Sequence, residues 1–244
     1  MASEFHFDKS DKAALLRQVA SSLSHDLRTP LRHSGQFLEL YEKDMLAGKS
    51  VSAASHLEVV KESIAETFDM VTAIVGYTRL GMTLNAPVQL DLAEIAKAAR
   101  ERVQLENYLL KSDLQFEGDR KLFGHPQLLG DLFFELIQNA AQFAPAGQDV
   151  KISISGKQSD DQLVLLISDN GQGVPIGYEE LVFDLFQKVD SDRPSKGAGI
   201  GLSTARRIAE IHGGSLRIVP KEDCPDTEGL TLELILPLRP SIAG

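Results

Sequence analysis

A single cysteine, Cys224, among 244 residues leaves no partner for an intramolecular disulfide and too few thiols for a thiolate metal cluster, which fits a reducing compartment. No apolar run reaches the roughly 18 to 20 residues that a bilayer crossing needs. The opening MASEFHF also lacks the basic start and long apolar stretch of a secretory signal. Basic residues are in short supply: 25 Lys and Arg stand against 35 Asp and Glu, a net charge of -10 that argues against a sequence-independent grip on nucleic acid or anionic lipid. The expectation is a cytoplasmic protein with no nucleic-acid partner and no direct membrane contact. What remains is ordinary globular material, 43% hydrophobic and 25% charged, in a length that suits two small domains.

The hydrophobic pattern divides the chain. Leu16, Ala20, Leu23, Leu27, Pro30, Ser34, Phe37 and Tyr41 recur at steps of three and four, and so do Leu57, Val60, Ile64, Phe68, Val71, Val75 and Thr78. Gly48-Lys49-Ser50 interrupts the two seams, which predicts an antiparallel helical hairpin. A lone hairpin leaves half its apolar surface wet, so pairing of two copies into a four-helix bundle, and hence a homodimer, is expected. Asn85-Ala86-Pro87 is a turn signal that places a domain boundary at residue 86. Beyond it lies most of the negative charge, together with helices predicted over Leu92 to Gln104, Pro126 to Phe143 and Ile200 to Ile211. Strands are predicted over Leu114 to Glu117, Val150 to Ile154, Leu163 to Ile167, Leu216 to Val219 and Leu230 to Leu236. Strands and helices that do not alternate regularly point to an α+β sandwich, a mixed sheet with helices on one face.

Four motifs could carry chemistry. Ser24-His25-Asp26-Leu27-Arg28-Thr29-Pro30-Leu31 puts His25 off the first seam, where a neutral imidazole nitrogen is an accessible nucleophile. Pro30 removes the amide that would bond to the Asp26 carbonyl, so a helix bend just after His25 is expected. In Glu135-Leu136-Ile137-Gln138-Asn139, Glu135 and Asn139 stand i, i+4 and can direct two oxygens at one hard cation or one water. Ser168-Asp169-Asn170-Gly171-Gln172-Gly173 follows an apolar strand; a carboxylate there, followed by two glycines, suits a flat ligand with an amine to donate. Gly197-Ala198-Gly199-Ile200-Gly201-Leu202 opens a helix and frees backbone amides for phosphate oxygens. Between the last two, Phe183 and Phe186 either anchor a mobile lid or belong to the core, with Lys188, Arg193 or Lys196 placed to meet phosphate.

Taken in order, the four motifs resemble those of the sensor histidine kinases over about residues 10 to 240. SHDLRTPL resembles the phosphoacceptor box, ELIQNAAQFAP the N box, SDNGQGVP and GAGIGLSTARRIAEIHGG the glycine boxes, and VFDLFQK the F box. The resemblance implies a dimerisation and histidine phosphotransfer domain over 1–86 and, over 87–244, a catalytic ATP-binding domain of the histidine kinase, Hsp90 and topoisomerase type. It further implies that His25 attacks the γ-phosphorus of ATP with Asp26 as its general base, that Asn139 ligates Mg²⁺ with Glu135 nearby, and that Asp169 accepts the adenine amine. Gly171, Gly173, Gly197, Gly199, Gly201 and Leu202 would line the nucleotide, with Lys188 at phosphate. Thr29 matches the polar residue that helps water dephosphorylate the partner regulator, so a phosphatase activity is implied beside the kinase. The chain departs from the family pattern at Gln142, where many members carry Lys or Arg, and at His125, where Asp is common.

The expected function is therefore ATP-dependent autophosphorylation of His25, followed by transfer to an aspartate of a response-regulator receiver domain. A phosphorelay scaffold that no longer uses ATP, and an ATPase-gated clamp with Glu135 activating water, are the alternatives. An upstream sensor domain or sensor protein is implied as a further partner outside these residues.

Overall fold

The computed structural model describes residues 26–82, 84–106, 111–189, 197–224 and 227–239. The chain falls into two units, a helical one ending at Arg79 and an α/β one starting at Leu80.

The helical unit is a hairpin of α1 (Arg28–Leu46) and α2 (Ser50–Arg79). Gly48 makes the turn with φ +72°, a conformation that costs glycine least. Across the turn, Ser52 donates to the Asp44 carboxylate and His56 lies 3.3 Å from it, which closes the first turn of α2 onto the last of α1. Leu27, ahead of α1, keeps helical dihedrals at φ -71° and ψ -26°. Pro30 has no amide for the Asp26 carbonyl, and the next bond, from Leu31 to Leu27, is long at 3.4 Å. His25, after which the bend is expected, lies outside the described residues.

The seam read along the first helix is the less exposed side of α1: Pro30 is buried, and Ser34, Phe37 and Tyr41 are half-buried. In α2 the outcome differs. Its buried stripe is Ala53, Val60, Ser63, Met70, Ile74 and Tyr77, whereas Ile64, Phe68, Val71 and Val75 are exposed. Thirty residues rich in apolar side chains carry two stripes, and the periodicity alone does not say which one the hairpin buries.

The α/β unit contains β1 (Val88–Asp91), α3 (Leu92–Glu106), β2 (Ser112–Gly118), β3 (Lys121–Gly124), α4 (Pro126–Phe143), β4 (Val150–Ser159), β5 (Gln162–Asp169), α5 (Gly201–Ile211), β6 (Ser215–Ile218) and β7 (Thr231–Pro237). The main sheet has the order β2-β4-β5-β7-β6, parallel between β2 and β4 and antiparallel elsewhere, so it is mixed. A two-stranded sheet of β1 and β3, absent from the sequence reading, stands beside it. Alternation sets the faces. Val150, Ile152 and Ile154 of β4, Leu163, Leu165 and Ile167 of β5, and Leu232, Leu234 and Leu236 of β7 are buried, with more exposed residues between them. Against that face pack Leu129, Leu132, Phe133, Leu136 and Ile137 of α4, Ala96 and Val103 of α3, and Ala205 and Ile208 of α5. Each fully buried Leu, Ile or Phe contributes about 1.5–3 kcal/mol.

Candidate functional site

Asp169 is the last residue of β5 and shares parity with Leu163, Leu165 and Ile167, so the same alternation that buries those residues turns its carboxylate toward the helix-covered face. Two backbone amides bond to one of its oxygens: Gly171 donates to Oδ1 at 2.8 Å and Leu230 at 3.0 Å. Oδ2 takes neither of these bonds. Burial raises the Asp169 pKa above the ordinary carboxylate value, and the Leu230 and Gly171 amides work in the opposite direction.

The turn after it is held equally closely. Asn170, buried, accepts from the Lys151 amide at 2.9 Å and donates to the Asp149 carbonyl at 3.0 Å, which ties the end of β5 to the start of β4. The Gln172 amide donates to the Phe143 carbonyl at 3.2 Å, which ties the turn to the end of α4. Gly173 adopts φ +72°.

Glu135 and Asn139 lie one turn apart on α4, both half-buried on the rim of a helix whose other face is core. Burial pushes the Glu135 carboxyl up to about 7; Asp131 and Glu106 add to the rise and Arg102 opposes it. A Cβ at Gly201, the first residue of α5, would stand 2.8 Å from Glu135 Oε2. Gly201 therefore lets the N-terminus of α5 come against that carboxylate. Gly197 and Gly199 precede α5 with φ +102° and +71°. Leu202 packs on the core from the first turn of α5. Among the described residues no three His, Cys, Asp or Glu side chains form a metal-binding group. A cation held by Glu135 and Asn139 would draw its remaining oxygens from bound phosphate and water.

Phe183 and Phe186 are core residues: both are buried, and Phe186 holds its place with φ +66°. The Arg206 guanidinium lies 3.6 Å above the Phe183 ring, bonds to Glu180 at 2.9 Å and donates from Nε to the Leu216 carbonyl at 3.1 Å. One side chain of α5 thus fastens the segment around Phe183 to both α5 and β6. Lys188 is exposed beyond it, and Arg193 and Lys196 lie outside the described residues.

Residues 124–240 match the family described as histidine kinase-, DNA gyrase B- and HSP90-like ATPases. The histidine-protein kinase/phosphatase MprB of Mycobacterium ulcerans is 29% identical over 233 residues, covering 91% of this chain and 44% of MprB. The Mycolicibacterium smegmatis MprB is 27% identical over 235 residues, covering 90% of this chain and 45% of that protein. Residues 124–240 thus belong to that ATPase family. The chain spans a little under half the length of these curated relatives. Among solved structures, a mycobacterial MprB aligns with TM-score 0.53 at 26% identity, covering 63% of this chain and 99% of that one. Histidine kinase ThkA in complex with the response regulator TrrA aligns with TM-score 0.66 at 18% identity, covering 96% of this chain and 65% of that one, a likeness of fold.

The fold brings Asp169, Gly171 and Gly173 together at the end of β5, and Glu135, one turn from Asn139, against Gly201 where α4 meets α5. Asp26 is half-buried and Thr29 exposed in the helical unit. Three supporting residues went unread in the sequence: Gly229, Asn170 and Arg206. A Cβ at Gly229 would overlap Asp169 Oδ1 and the Gly171 amide nitrogen. Only the glycine type itself, beside the strand Leu230 to Leu236, could have signalled it. Among the described residues, no helix is long and apolar enough to cross a membrane.

Proposed function

We propose that this chain is an ATP-dependent protein-histidine kinase that phosphorylates its own His25 and passes the phosphoryl group to an aspartate of a response regulator. The observation that carries the reading is Asp169: a half-buried carboxylate clamped by two amides on one oxygen, at the end of a core strand in an ATPase-family fold. Its Oδ2 is suited to accept the adenine amine, and the small residues Gly171 and Gly173 leave room for a flat base to approach the backbone. The relatives named histidine-protein kinase/phosphatase support the same reaction and a second activity, dephosphorylation of the regulator, for which Thr29 is the residue proposed.

Residues 1–86 would form the dimerisation and phosphotransfer domain and 87–244 the catalytic domain. The exposed stripe Ile64, Phe68, Val71 and Val75 on α2 supports pairing of two hairpins into a four-helix bundle, the proposed homodimer. In the reaction, a neutral nitrogen of His25 forms a bond to the γ-phosphorus while the bond from phosphorus to the ADP oxygen breaks, and Asp26 takes up the imidazole proton. Glu135 and Asn139 present the oxygens that fit Mg²⁺, which when bound supplies charge neutralisation along the triphosphate. Amides of Gly197, Gly199, Gly201 and Leu202, with Lys188, are placed by sequence to meet the phosphates. Gln142 offers a donor but no charge where many relatives of the resemblance carry a cation.

The test is incubation with γ-labelled ATP and Mg²⁺, comparing the protein with His25→Gln. An acid-labile, alkali-stable label present in the first and missing from the second is the expected result. Glu135, held near neutrality against the start of α5, favours one second reading, an ATPase in which this carboxylate activates water. Steady phosphate release without any labelled protein would select it.

A further inference from the structure

His212 caps the C-terminus of α5 and His125 the N-terminus of α4, and both are buried, at 2% and 6% exposure. The His212 ring is bonded on both nitrogens. Nδ1 lies 2.8 Å from the Ile208 carbonyl, and the His125 backbone amide lies 3.2 Å from Nε2. A carbonyl can only accept and an amide N–H can only donate, so these partners fix one form of the ring: neutral, with its proton on Nδ1. His125 has no side-chain cap bond of its own, and its carbonyl accepts from the Leu129 amide at 3.0 Å. The His212 ring therefore supplies the partner for an amide at the start of α4.

The contact has a counterpart at the other end of the same helix pair. Glu135 is ten residues beyond His125 on α4, and Gly201 is eleven before His212, so the two antiparallel helices meet again at Glu135 and Gly201, about 15 Å along at 1.5 Å per residue. We propose that His212, in its neutral Nδ1–H form, is a positioning residue that sets the register of α4 on α5 and so keeps Glu135, and with it the face of α4 that carries Asn139, against Gly201 at the start of α5. The inference rests on the nucleotide-binding reading above for its consequence, but the fixed ring form and the register do not depend on it.

Protonation at Nε2 would set N–H against N–H and leave a charge in the core. The titratable group that acts on His212 is His125, whose ring centroid is 5.2 Å away; Ile208 of α5 and Gly124 of β3, which also adjoin the ring, do not titrate. Burial lowers both histidine pKa values below the ordinary imidazole range, which favours the neutral form and moves its loss toward acid pH.

The experiment measures binding of a non-hydrolysable ATP analogue with Mg²⁺ to the full chain and to His212→Gln and His212→Leu, from about pH 8 to pH 5.5. Glutamine keeps an acceptor that does not titrate. Expected are equal affinities of the parent and His212→Gln at about pH 8, an additional weakening of the parent of roughly threefold or more at the acid end, and roughly tenfold weaker binding by His212→Leu throughout. Superimposable profiles for the parent and His212→Gln would overturn the proposal. Nitrogen NMR of the parent ring, without nucleotide, is the second measurement. A proton on Nδ1 and none on Nε2 at neutral pH supports the assignment, and the reverse tautomer or a charged ring sinks it even if neither variant folds. Absence of analogue binding by all three proteins would overturn the nucleotide reading instead, and the ring tautomer would still decide this one.

Discussion

Gly229 and Asp169 are packed so closely that no other residue fits at 229: the Gly229 amide donates to the Asp169 carbonyl at 3.1 Å, and a Cβ would overlap Asp169 Oδ1. Backbone and a twice-bonded carboxylate surround the position, so nothing flexible can move aside. Gly229→Ala is expected to cost about 1–3 kcal/mol of stability, in the range of overpacked cores. It should also weaken ATP binding by roughly tenfold, since about 1.4 kcal/mol displaced from the Asp169 site is a factor of ten. Gly171→Ala, whose Cβ would meet Asp169 Oδ1 at 2.9 Å and the Phe143 carbonyl at 3.1 Å, should behave similarly but more mildly. Thermal melts with and without Mg-ATP check both; unchanged affinity in Gly229→Ala would disconnect the cradle from the nucleotide.

Asp169→Asn separates fold from recognition. The asparagine oxygen can still accept from Gly171 and Leu230, while its amine replaces Oδ2 and opposes a donor with a donor. The melting temperature without nucleotide should stay within a few degrees, and ATP affinity should fall by roughly 10- to 100-fold, the effect of an unpaired buried donor at about 1–3 kcal/mol. Calorimetric titration reads this directly, and wild-type affinity in the variant would remove Asp169 from the adenine site.

What was legible in the sequence was local. Asp169 and its two glycines, and Glu135 with Asn139, sit at spacings that a strand end and a helix impose within a few residues. Gly229 is sixty residues from Asp169 and reaches it only because β7 pairs with β5. His125 and His212 lie 87 residues apart, and their bond exists only because α4 and α5 run antiparallel across the sheet. Nothing beside it along the chain marks Arg206, whose guanidinium covers Phe183. The β1–β3 ribbon escaped notice because each strand runs straight into a helix, β1 into α3 and β3 through His125 into α4, with no turn signal between them. In α2, composition announced an apolar helix but not which of its two stripes the hairpin would bury.

Glu135 gives a pH dependence of definite sign. Burial raises its pKa from 4.5 to about 7, so between those values the folded protein holds a proton that the unfolded chain has released. Its contribution to stability is whole below the lower value and lost as the pH climbs through the upper one. Glu135→Gln cannot ionise and escapes that loss. The variant without nucleotide should match the parent near pH 4.5 and exceed it by on the order of 1–3 kcal/mol near pH 8. Autophosphorylation in the variant should fall across the whole range, because the oxygen offered to Mg²⁺ is then uncharged. Denaturant titrations at several pH values decide the first part; parallel stability curves would mean that Glu135 ionises as an ordinary surface carboxylate.

Phe68 is 72% exposed on a stripe with Ile64, Val71 and Val75, an apolar surface that a soluble hairpin would ordinarily cover. If two copies cover it, Phe68→Glu places a charge from each copy within a shared apolar seam, where an unpaired carboxylate costs several kcal/mol. The variant should sediment as a monomer at concentrations where the parent is a dimer. Its α/β unit, whose core contains no residue of α2, should keep its ATP affinity. Labelling of His25 would then report the route of transfer: a large loss in the monomer means that one copy phosphorylates the other, and retention means that each phosphorylates itself. Glu62→Gln, exposed and off the stripe, serves as the control and should leave sedimentation unchanged. A parent protein that is monomeric at every accessible concentration would remove the dimer, and the stripe would then need another occupant.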